Sequence, residues 1–165
     1  MEMTTVTAMH KAAVADELAR GWGRGYPRTP MIDAAFTLTD TELVALRTFK
    51  AAWLAAKVAT DVDAAQLAAI RTCAEALLGK LAPEVERGAA LTGRSDGSTY
   101  NPAHIITLRG ALSVITALHE LTHARGYGEV GAVWWSVNAF RLVWPKAFAK
   151  LRNVPGTHVM RKVVR

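Results

Sequence analysis

The chain has a single cysteine, Cys73, among its 165 residues. One thiol excludes an internal disulfide and a cysteine-rich zinc ribbon, so any metal must be held by histidine and carboxylate. Long apolar runs are also missing. The nearest, residues 53–59, is interrupted by Lys57 and falls short of the roughly 18 apolar residues of a membrane span. The first residues, MEMTTVTAMHKAAVADELARG, lack a cationic start followed by an unbroken apolar stretch, which gives the expectation of a cytoplasmic protein. Acidic residues run out altogether after Glu129, whereas Arg141, Lys146, Lys150, Arg152, Arg161, Lys162 and Arg165 all follow it. Residues 1–82 carry nine Lys/Arg and nine Asp/Glu, and residues 83–165 carry eleven against five, so the second half supplies the whole formal charge of +6. A basic end of this kind either binds nucleic acid or another acidic partner, or is simply a solvated surface.

What is present reads as globular. Apolar residues make up 51% and charged residues 21%, and the length suits one domain able to bury a core without disulfides. The pattern predicts an α+β chain, predominantly helical, organised as a helical scaffold over 1–82 and a second part over 83–165 with the basic end. Residues 7–20 have helical spacing, with Val14 and Leu18 four apart. The stretch GWGRGYPRTP that follows is read as a loop pinned by Trp22 and Tyr26. Thr39-Asp40-Thr41-Glu42 matches a capping box and opens a helix to about Thr60, with Leu43, Leu46, Phe49, Trp53 and Leu54 on its buried face. Asp63-Ala64-Ala65-Gln66 is a second match, opening an Ala-rich helix to about Gly79, so an antiparallel helical hairpin is expected. Cys73 falls in this helix as a small core residue.

From Pro83 the texture changes. Asp96-Gly97 is a tight-turn pair, and residues 104–108, HIITL, read as a strand with His104 on its face. A small sheet beside the next helix is expected. That helix, from Leu112 or Ser113, is apolar on more than one face through Leu112, Ile115, Leu118 and Leu121, yet carries His119, Glu120 and His123. Polar groups in a buried helix are costly without partners. The string His119-Glu120-Leu121-Thr122-His123 is H-E-x-x-H. Residues four apart share a helix face, so both imidazoles reach one metal ion while Glu120 lies beside it, able to hold a water. A catalytic zinc site needs a third ligand. Glu129 is the only carboxylate after Glu120, and His158 is the other downstream donor. His10 stands alone and is read as a surface histidine.

The longer string, residues 119–129, is H-E-x-x-H-x-x-G-x-x-E. It resembles the metzincin signature H-E-x-x-H-x-x-G-x-x-H, with a carboxylate in the last place and Gly126 at the turn. More loosely, residues 104–151 are similar to small uncharacterised zincin-like proteins of bacteria and phages. The resemblance implies a zincin-like fold and a zinc metallopeptidase, with zinc on His119, His123 and Glu129 and Glu120 as general base towards a peptide or protein substrate. The Met-turn of metzincins has no clear counterpart, since Met160 is the only methionine downstream. Arg125, Tyr100, Tyr127 and His158 are candidate oxyanion donors, and the strand at 104–108 is a candidate edge for an extended peptide. Trp134, Trp135, Val137 and Phe140 lie at helical spacing and are read as core. Trp144-Pro145 breaks that helix, a short one follows from Pro145 to about Leu151, and a tail or a final strand ends the chain. The alternative function is a metal-stabilised nucleic-acid-binding module of a phage or mobile element, using the basic C-terminal region.

Overall fold

The computed structural model describes residues 38–89, 98–127, 129–148, 150–153 and 160–162. The expectations for residues 7–20, the loop with Trp22 and Tyr26, His10, Asp96-Gly97 and His158 lie outside these residues.

Helix α1 (Asp40–Ala56) begins where the Thr39 side chain accepts a hydrogen bond from the Glu42 N–H at 3.1 Å. The Thr39 half of the expected capping box forms, while the Glu42 carboxylate lies 3.6 Å from Arg125 Nη2. The second start also differs. Helix α2 (Val62–Leu78) is capped by Asp61, which accepts from the Ala64 N–H at 3.0 Å, and not by Asp63. Asp63 faces Arg87 in an exposed ion pair. Helix α1 ends at Ala56, earlier than the expected Thr60, and α2 stops at Gly79, which adopts φ +58, a conformation that glycine enters without a Cβ clash.

The two helices pack together through Leu46, Phe49 and Trp53 on one and Leu67, Ile70 and Cys73 on the other, all in a common buried cluster. That cluster runs from Leu38 to Phe148 and so draws on both halves of the chain. Edge-on contacts of Phe49 with Trp53 and Trp144, and stacking of Phe140 on Trp144, join α1 to the end of helix α4 (Glu129–Val143). Lys50 adds a polar tie, its Nζ donating to the Val143 carbonyl at 2.8 Å, where a helix end leaves acceptors open. A short helix α5 (Pro145–Phe148) and a two-stranded antiparallel ribbon, β4 (Leu151–Asn153) with β5 (Met160–Lys162), follow. Helix α5 therefore ends three residues before Leu151, which begins a strand.

Three strands make the main sheet: β1 (Glu84–Arg87), β2 (Thr99–Asn101) and β3 (Ile105–Leu108) in the order β1-β3-β2. Strand β3 is central, parallel to β1 and antiparallel to β2. The β2–β3 hairpin has a three-residue loop, Pro102-Ala103-His104, closed by the His104 N–H on the Asn101 carbonyl at 3.0 Å. Loops of this length place their last residue in the left-handed region, and His104 has φ +65. His104 is thus a loop residue and not a strand-face histidine. The fold is α+β and mostly helical, with the sheet packed beside helix α3 (Val114–Ala124). Among the described residues no helix is long and apolar enough to cross a membrane.

Candidate metal centre

Helix α3 carries the H-E-x-x-H residues. Val114, Ala117, Leu118 and Leu121 form its core face, spaced three and four apart as an amphipathic helix requires. His119 and His123 are half-buried one turn apart. Their rings are nearly perpendicular, at 83° with centroids 4.7 Å apart, and the two Nε2 atoms approach to 3.1 Å. Two imidazole nitrogens on a tetrahedral zinc, each about 2.05 Å from it, lie about 3.3 Å apart. The pair therefore fits the donor spacing of a shared ion; without one, a single proton bridges the nitrogens.

The far side of His123 decides its tautomer. Its Nδ1 is 2.9 Å from the Tyr127 carbonyl, which can only accept, so the proton sits on Nδ1 and the Nε2 lone pair faces His119. The carbonyl is brought there by the way α3 ends. Gly126 takes φ +94, the Gly126 N–H bonds to the His123 carbonyl at 2.9 Å, and the Tyr127 N–H reaches the Thr122 carbonyl at 3.3 Å. This is the glycine-terminated turn in which the chain folds back over its last helical carbonyls. Thr122 itself is fully buried, and its hydroxyl is satisfied by the Leu118 carbonyl one turn earlier, at 2.7 Å.

Glu120 follows His119 on α3 and is only 6% exposed. Glu129 opens α4 directly after the turn; its side chain, like all of His158, lies outside the described residues. Among the described residues no group of three or more His, Cys, Asp or Glu is gathered as a metal cage. Two imidazoles with one tautomer fixed thus make up the described donor set.

The oxyanion candidates fare unequally. The His104 Nε2 lies 2.6 Å from the Leu81 carbonyl and so carries a proton; in the neutral ring Nδ1 must then accept, and it takes the Tyr100 hydroxyl proton at 2.7 Å. Tyr100 has no second proton to give. Arg125 is largely buried between Glu42, at 3.6 Å, and the Trp135 ring, 4.8 Å from its centroid. Trp135 and Phe140 are core, as expected, while Leu142 is exposed; the side chains of Trp134 and Val137 lie outside the described residues.

The sheet edges also differ from expectation. Strand β3, the expected docking edge, is paired on both sides. The edge at β1 is obstructed by Arg71, whose Nε donates to the Val85 carbonyl at 2.9 Å. On β3 the carbonyls of His104 and Leu108 serve β1, so by alternation Ile105 and Thr107 turn their peptide groups to β2. Tyr100, opposite Ile106, therefore presents its N–H and C=O outward at the β2 edge.

Sequence reasoning missed three features: the Tyr127 carbonyl behind His123, the Glu42–Arg125 pair, and the Tyr100–His104 hydrogen bond. The first is a backbone atom and leaves no residue-type signal beyond the glycine before it. The others join residues whose pairing depends on how helices and loops pack. Compared with known protein families, with curated proteins and with solved structures, the chain matches none.

Proposed function

We propose that this chain is a zinc-dependent hydrolase of the zincin type, and a peptidase in particular, with His119, His123 and Glu129 as ligands and Glu120 as general base. One observation carries the reading: the Nε2 atoms of His119 and His123 converge to 3.1 Å while a backbone carbonyl fixes the His123 proton on the opposite nitrogen. A backbone acceptor on the far nitrogen is what a ligating imidazole requires, because it keeps the lone pair available. When bound, zinc supplies a Lewis acid that acidifies water and polarises a carbonyl.

The residues of the chain carry the rest. Glu120 takes a proton from the attacking water as its oxygen bonds to the carbonyl carbon, and returns it to the nitrogen as the C–N bond breaks. An extended peptide adds to the β2 edge, with main-chain bonds to the outward peptide groups of Tyr100.

The test is elemental analysis of purified protein together with hydrolysis of a fluorogenic peptide library. About one zinc per chain is expected, lost in His119→Ala and kept in Glu120→Gln, which should hydrolyse nothing. Activity surviving in Glu120→Gln sinks the general-base role.

A second reading, contact of the basic C-terminal region with nucleic acid, draws on the sequence, in which seven Lys or Arg and no acidic residue follow Glu129. Such a charge balance suits a phosphate backbone. Binding to a labelled DNA duplex that falls steeply with salt and survives Glu120→Gln supports this reading.

A further inference from the structure

We infer that Arg125 is a positioning residue for the candidate site: it clamps the turn after α3 so that the Tyr127 carbonyl stays against His123. The inference deepens the metal reading and rests on it only for its consequence in zinc affinity. Arg125 is the last residue before the left-handed Gly126, and its own N–H bonds to the carbonyls of Leu121 and Thr122 at 3.2 and 3.1 Å. Its backbone thus belongs to the turn. Its side chain leaves the turn and meets two other elements. The Nη2 atom lies 3.6 Å from Glu42 Oε1 in the first turn of α1, and the guanidinium sits over Trp135 of α4.

Both contacts are well shielded, with the Arg125 side chain 12% exposed, Glu42 19% and Trp135 3%. A guanidinium suits this position because its flat face lies on an aromatic ring while its edge pairs with a carboxylate. Two residues further on, the Tyr127 carbonyl accepts the His123 Nδ1 proton; two more, Glu129 begins α4. A turn free to shift moves that carbonyl away, and His123 then loses the acceptor that keeps its proton off Nε2.

The test compares wild type, Arg125→Met, Glu42→Gln and Lys50→Met. Lys50 ties α1 to the far end of α4 through the Val143 carbonyl and serves as the stability control. Two readouts apply: the His123 tautomer from two-bond proton–nitrogen correlations in metal-free protein, and zinc affinity by competition with a chromophoric chelator. Metal-free Arg125→Met should show a mixed His123 tautomer, with zinc affinity weakened by about tenfold or more, the range of lost outer-shell partners. Lys50→Met should lower thermal stability and leave both readouts at wild type. If Arg125→Met does not fold, Glu42→Gln, which keeps the shape and removes the charge, carries the same expectation.

Either readout unchanged in the folded variant overturns the inference, as does an equal loss in Lys50→Met. Wild-type protein that takes up no zinc refutes the metal reading instead; the tautomer measurement then decides the role of Arg125 alone.

Discussion

Gly126→Ala isolates the backbone geometry of the site. Gly126 has φ +94, and among the described residues a Cβ built there meets no atom within 4 Å other than those of its two chain neighbours. The substitution therefore costs nothing in sterics with neighbours, and its whole penalty is conformational. An L-residue held in the left-handed region loses about 1–2 kcal/mol. Alanine also has less freedom than glycine in the unfolded chain, which offsets about 0.5–1 kcal/mol. The net expectation is a loss of roughly 1 kcal/mol, or about 2–4 °C in Tm for a chain of this size. Urea unfolding of the metal-free protein, followed by circular dichroism, measures it, with unchanged m showing that the unfolded state is not the cause. Gly126→Asn, whose side chain tolerates the left-handed region, should cost less than Gly126→Ala. A loss above about 3 kcal/mol, more than backbone strain supplies, or an asparagine variant worse than the alanine one, refutes the reasoning. Either result means that space, and not φ, makes glycine necessary here.

Other perturbations test other parts. Leu118 is fully buried on the core face of α3, so Leu118→Ala should lower stability by about 2–5 kcal/mol in denaturant unfolding. Burial pushes the Cys73 thiol up to about 12 from 9.0; native protein should resist a thiol reagent at neutral pH and react once unfolded. The same shift sets a pH dependence. Above 9 the unfolded chain loses this proton and the native chain keeps it, so stability is complete below 9 and declines towards 12, by at most about 1.4 kcal/mol per pH unit. Cys73→Ala should flatten that alkaline limb in unfolding titrations. Thr39→Ala removes the cap of α1 and should cost about 1 kcal/mol by the same assay.

Chemical composition and helical periodicity are local properties, and they were enough to settle a good deal of this protein. The apolar spacing of Leu46, Phe49 and Trp53 and of Leu118 and Leu121 marks faces that are indeed buried, because a helix repeat is fixed by backbone geometry whatever packs against it. The same repeat puts His119 and His123 one turn apart, and Gly126 in the sequence marks the turn that ends their helix. Capping was legible only in type. Asp61 and Asp63 are chemically equivalent caps; in the fold Asp61 starts α2 and Asp63 pairs with Arg87.

Tertiary structure alone decided the pairings between distant residues. Residues 104–108 have strand composition, but a strand has two edges, and only the arrival of β1 and β2 makes β3 central and puts β2 at the edge of the sheet among the described residues. His104 reads as a strand residue until the length of its hairpin loop puts it at φ +65. Tyr100 and Arg125 look like available donors in sequence; packing commits the proton of one to His104 and the charge of the other to Glu42. The sequence by itself thus determined which side chains share a helix face. Only the folded chain decided which atoms stand behind them, because hydrogen-bond and charge partners far apart in sequence are chosen by how elements pack.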